Sequence, residues 1–90
     1  MKKAKHPYRF PENAQAKAAT ANQQIRKILE EAKEVYWAWE ELEPDERVIE
    51  ETWDTINACE GLLRKFPLRK VLVGLVRVKI KCLQRGDYKL

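Results

Sequence analysis

The chain has little sulfur and almost no imidazole: Cys59, Cys82 and His6 are its only soft metal ligands apart from Met1. The two cysteines lie inside apolar-periodic segments without C-x-x-C spacing, which argues against a disulfide framework and a zinc site and for a reduced, buried pair. Long hydrophobic runs are missing too. No stretch approaches the ~20 apolar residues that span a bilayer, and the opening MKKAKHPYRFP meets Pro7 and Pro11 where a signal peptide would carry its apolar centre. No membrane association is expected, and a cytoplasmic location is. There is no internal repeat, and no glycine turn of the helix-turn-helix kind, so nucleic acid is an unlikely partner.

What is present is a 44% hydrophobic, 36% charged chain of 90 residues, too apolar to stay disordered. A chain of this size buries only about 60–65% of its unfolded surface, so self-association into a homodimer or homotetramer is expected to complete its core. The charge is divided along the chain. Residues 1–29 sum to +6, residues 30–60 to −10 (twelve acids against Lys33 and Arg47), and residues 61–90 to +8. An acidic middle between basic ends suits a divalent cation with a phosphate-bearing ligand, and equally suits charge balance within a small bundle.

Residues 1–11 read as a basic, extended arm, and residues 12–90 as one all-α domain. A helix is expected from Glu12 or Asn13 to about Leu42, with a break near Thr20 or Asn22. Ile25, Ile28, Leu29, Ala32, Val35, Tyr36 and Trp39 recur on it at helical spacing as one apolar stripe, taken as its core face. Pro44, Asp45 and Glu46 start a second helix, which stops before Pro67. Its expected apolar face is Val48, Ile49, Thr52, Ile56, Cys59, Leu62, Leu63 and Phe66, and a second stripe holds Glu51, Asp54, Ala58 and Gly61. From Val76 to Cys82 the residues alternate as in a β-strand. No other segment offers a strand to pair with, so residues 67–84 are read as a third helix stopped by Gly86. The expected architecture is a bundle of three to four helices.

Glu31 with Glu34, and Glu51 with Asp54, are each spaced i, i+3, so two antiparallel helices would gather all four carboxylates. Four such groups repel one another unless a cation joins them, and an all-oxygen donor set favours Mg²⁺, with Mn²⁺ as substitute, over zinc. Ala58 and Gly61 are expected to leave room for a ligand beside the metal. Trp37 and Trp53 lie off the apolar stripes, where they would stack a base or enter a subunit interface.

The run EEAKE from Glu30 to Glu34, followed by ETWD from Glu51 to Asp54, resembles the E-E-x-x-E, spacer, E-x-x-D signature of the MazG-like all-α nucleoside triphosphate pyrophosphohydrolases. The ending KIKCLQRGDY is similar to that family's basic last helix, with Cys82 standing where the family often has asparagine. The resemblance implies hydrolysis of a nucleoside triphosphate between the α and β phosphates, giving monophosphate and pyrophosphate. It implies Glu31, Glu34, Glu51 and Asp54 as ligands of Mg²⁺. Glu30, about 100° from Glu31 on the helix, is left with three roles: orienting the attacking water, acting as base, or simply being solvated. Lys81 and Arg85, with Lys79 behind them, are the candidate triphosphate contacts. The competing readings are a small basic nucleic-acid-binding or regulatory module, whose binding would weaken steeply with salt, and a catalytically silent bundle of the same fold.

Overall fold

The computed structural model describes residues 6–88. They form four helices, α1 (Ala14–Ala18), α2 (Ala21–Glu40), α3 (Asp45–Leu63) and α4 (Leu68–Gln84), and no strand among the described residues. The alternating Val76–Cys82 run is therefore helical. Two compact units are present: Tyr8–Lys65, which carries α1 to α3, and a second containing α4.

Local chemistry sets the boundaries. The expected break falls at Thr20, whose hydroxyl accepts from the Gln23 N–H at 3.1 Å while the Gln23 side chain accepts from the Thr20 N–H at 2.8 Å. This reciprocal cap starts α2 cleanly and ends the α1 segment. At five residues α1 is too short to stand alone. Asn13 caps its start by accepting from the Ala16 N–H, and the Lys65 ammonium donates to the carbonyls of Ala16, at 2.8 Å, and Ala19 at its end. Pro44 and Pro67 occupy the N-cap positions of α3 and α4, and Asp45 and Glu46 fill the first turn of α3. Both α2 and α4 end in a residue of positive φ followed by an N–H that reaches back five residues: Leu42 (φ 55) with Glu43 bonded to Ala38, and Gly86 (φ 76) with Asp87 bonded to Cys82.

Helices α2 and α3 form an antiparallel hairpin, and the faces they turn together are the polar and small ones. Gln24, Ala38, Glu51, Ala58 and Gly61 are buried. The Gln24 amide donates to the Ala58 carbonyl at 2.9 Å in the interior. Gly61 allows the close approach, because a Cβ there would lie 2.7 Å from the Ala16 Cβ and 2.9 Å from Gln24 Nε2. The apolar stripe expected to be the core of α2 is accordingly split. Ile28 and Val35 are half-buried, but Ile25, Leu29, Tyr36 and Trp39 are exposed, Trp39 at 68%. On α3, Ile49 and Leu63 are likewise exposed. The only buried apolar residues among those described are Ala16, Ala38, Ala58 and Val71. Small residues win the interior because they let two backbones approach, and they leave the large apolar side chains outside.

Residues 8–10 of the N-terminal segment lie along α3. The N–H groups of Arg9 and Phe10 both donate to the buried Glu60 carboxylate at 2.8–3.0 Å. Arg64 donates to the Phe10 carbonyl at 3.0 Å and stacks its guanidinium 4.2 Å from the centre of the Tyr8 ring. Phe10 meets Trp53 edge to face at 6.1 Å, so one of the two off-stripe tryptophans has an intramolecular partner.

Candidate carboxylate site

The hairpin brings Glu31 of α2 together with Glu51 and Asp54 of α3. One carboxylate oxygen from each can be chosen so that all lie within 4.8 Å of one another. Glu51 is buried, Glu31 half-buried and Asp54 exposed, so the group runs from the helix interface out to solvent. Such a cluster is self-repulsive, and two bases relieve part of it. Lys27 Nζ donates to Glu31 at 2.7 Å, and Arg47 donates to Glu51 at 2.9 Å, each from one turn earlier on the same helix. The hydrogen bond to Glu31 and the charge of that carboxylate hold the Lys27 ammonium above its ordinary range, with Glu30 and Asp54 adding to the effect and desolvation opposing it. Lys27 thereby reports the negative field of the cluster.

A cleft of about 390 Å³ opens beside the group, lined by Lys27, Glu31 and Asp54 together with the amides of Gln15, Gln23 and Asn57. Glu34 stands outside the three-carboxylate group. It lines a neighbouring depression of about 130 Å³ with Glu51, Arg47 and Trp37, so Glu51 belongs both to the three-carboxylate group and to this depression. Glu30 is exposed and outside the group, and close enough to Lys27 to raise its pKa. Lys79, Lys81 and Arg85 belong to the other unit and are exposed. Arg85 pairs with Asp87 at 3.0 Å and approaches the Cys82 sulfur at 3.5 Å.

One expectation is corrected outright. The space beside Gly61 is filled by Ala16 and Gln24 instead of standing open for a ligand, because α1 folds onto that point. Ala58 does line the cleft. Lys27 and Arg47 are site residues that the acidic signature passes over, although the spacings Lys27 to Glu31 and Arg47 to Glu51 carry the signal of paired charges one helical turn apart.

With three carboxylates on facing helices and an amide-lined cleft beside them, the arrangement can hold a hard cation through oxygen alone and present it to a polar, phosphate-bearing ligand. Neither protein-family models, nor curated proteins, nor solved structures give a match to this chain.

Proposed function

We propose that the chain is a Mg²⁺-dependent nucleoside triphosphate pyrophosphohydrolase that cleaves between the α and β phosphates. The observation that carries the reading is the meeting of Glu31, Glu51 and Asp54 from two helices at the edge of the cleft. Their donor set fits Mg²⁺, and Mn²⁺ as a substitute, because every donor is a hard oxygen. Glu31, Glu51 and Asp54 would hold the ion, and Glu34, outside their group, would have to move to join them. Bound there, the ion supplies neutralisation of the triphosphate charge and activation of a water.

The chain's own residues have definable tasks. Lys27, on giving up Glu31 to the cation, faces the cleft as a free ammonium for the phosphates. Glu30, exposed and outside the carboxylate group, would orient or deprotonate the attacking water, or remain solvated. Lys81 and Arg85, with Lys79 behind them, are the proposed triphosphate contacts of α4, and Arg85 would leave Asp87 to make one. The amides lining the cleft offer both donors and acceptors to the base and sugar.

Incubation with canonical and modified NTPs and dNTPs plus Mg²⁺ should release pyrophosphate and the monophosphate. Glu31→Gln and Asp54→Asn should each lower kcat by about 10³-fold, which is ~4 kcal/mol of transition-state stabilisation. A wild-type protein that turns over nothing, together with variants whose Mg²⁺ affinity is unchanged, sinks the reading.

A further inference from the structure

We propose that residues 8–19 form a hinged strap beside the carboxylate cleft, which opens as one unit while the α2–α3 hairpin stays folded. The last turns of α3 grip this segment at both ends. Glu60 and Arg64, one turn apart, hold its N-terminal end: Glu60 accepts from the N–H groups of Arg9 and Phe10, and Arg64 donates to the Phe10 carbonyl. Gly61 and Lys65, the next row along the helix, hold its C-terminal end. Ala16 lies against Gly61, and the Lys65 ammonium donates to the carbonyls of Ala16 and Ala19.

The strap cannot hold itself. Its helix α1 has five residues, well below the length at which a helix persists alone, and Ala16 is its buried residue. Beyond α1, Ala19 and Thr20 are both extended, at ψ 150° and 163°, and they form a joint before the capped start of α2. A segment with few buried apolar contacts opens at a free energy below that of global unfolding. Opening here removes part of the cleft wall, because Asn13, Gln15 and Ala19 line the cleft together with Lys27, Glu31 and Asp54. A ligand that touches both sets binds the closed state better and holds the strap shut. Taking that ligand to be a nucleoside triphosphate with Mg²⁺ rests on the proposed function; the strap's own opening does not.

Amide hydrogen exchange on the full chain, followed by NMR, tests the strap without a variant. The N–H groups of Arg9, Phe10, Lys17 and Ala19 bond to Glu60, Asn13 and Gln15. Their opening should respond to urea with one shared slope, smaller than that of amides inside α2 and α3. Glu60→Gln should speed exchange at Lys17 and Ala19 about 10-fold, and Lys65→Met should do the same at Arg9 and Phe10, each weakened charge-assisted bond being felt at the far end. Amides inside α2 and α3 should keep their wild-type rates. Mg²⁺ with the α,β-methylene analogues of ATP, GTP, CTP and UTP, each at about ten times its dissociation constant, should slow all four strap amides about 10-fold. Separate slopes, an effect confined to the altered end, or strap amides that open only with the hairpin each overturn the proposal. So does an analogue that binds by calorimetry and leaves the strap's exchange unchanged. If no analogue binds, the pyrophosphohydrolase reading fails, and the strap stands or falls on the ligand-free exchange.

Discussion

The two faces of the α2–α3 hairpin differ in a way that inverts the usual arrangement. The inner face holds Gln24, Glu31, Ala38, Glu51, Ala58 and Gly61, and the large apolar residues Ile25, Leu29, Tyr36, Trp39, Ile49 and Leu63 lie exposed away from it. Burying the second set would stabilise the chain far more, at about 1.5–3 kcal/mol for a large apolar side chain. The inner face instead accepts repelling carboxylates and settles for contacts between small residues. That arrangement is what a proposed ligand on the inner face would account for.

The largest expected effect tests how tightly the inner face is fitted. Gly61→Ala places a methyl 2.7 Å from the Ala16 Cβ, a side chain with no freedom to move aside. The α1 segment must move off α3, which costs about 2–3 kcal/mol, read as a shift of the urea midpoint at unchanged m. Ala16→Gly added to it should recover part of the loss. If Gly61→Ala is neutral, the inner face is not the close-packed contact described.

The tip of the hairpin gives the next test. Leu42 sits at φ 55, a conformation costing a non-glycine residue about 1–2 kcal/mol, and its side chain is 90% exposed. The matching position after α4 is Gly86. Leu42→Gly should stabilise the protein by about 0.5–1 kcal/mol, the strain relieved less the entropy of the freer unfolded chain, read as a shift of the urea midpoint.

The punctuation of this fold was legible in the residues. Thr20 and Gln23, Pro44, Pro67 and Gly86 mark helix boundaries by mechanisms that act within four residues of chain. So was the strand-like Val76–Cys82 run, which had no strand to pair with. The choice of face was not legible. Periodicity shows that α3 has an apolar side and a side of carboxylates and small residues, but which side meets α2 depends on how closely the backbones approach. Between α2 and α3 that approach is marked by the Gln24 bond to the Ala58 carbonyl and by the Gln24 side chain against Gly61, and α1 closes on the same point through Ala16. Glu60 was missed for a related reason: its partners are backbone N–H groups of Arg9 and Phe10, which side-chain pattern does not display. A trace existed, since Ile49, Trp53, Ile56, Glu60 and Leu63 follow one helical line in which a lone acid needs a buried partner. Of the carboxylate site, the i, i+3 spacing located Glu31, Glu51 and Asp54, and Glu34 stands beside Glu51 outside their group.

A smaller effect separates a ligand site from an ordinary polar interface. Asp54→Asn removes one of three mutually repelling charges, so the metal-free protein should melt ~2 °C higher while its Mg²⁺ affinity falls. An interface that needed Asp54 for packing would melt lower instead.

The finest test reads the cluster through Lys27. Its pKa is raised above 10.5 chiefly by the hydrogen bond to Glu31, so the protonated pair stabilises the fold below about pH 10.5 and that contribution is lost as pH rises through the raised value. In Glu31→Gln the Lys27 side chain, followed by NMR, should titrate lower, near its ordinary range. Saturating Mg²⁺ should do the same to the wild type, because a cation on Glu31 competes with the ammonium for the same oxygen and adds positive charge beside it. If Mg²⁺ binds and the Lys27 titration stays where it was, the cation sits elsewhere, and the inner face keeps its carboxylates for a reason other than metal.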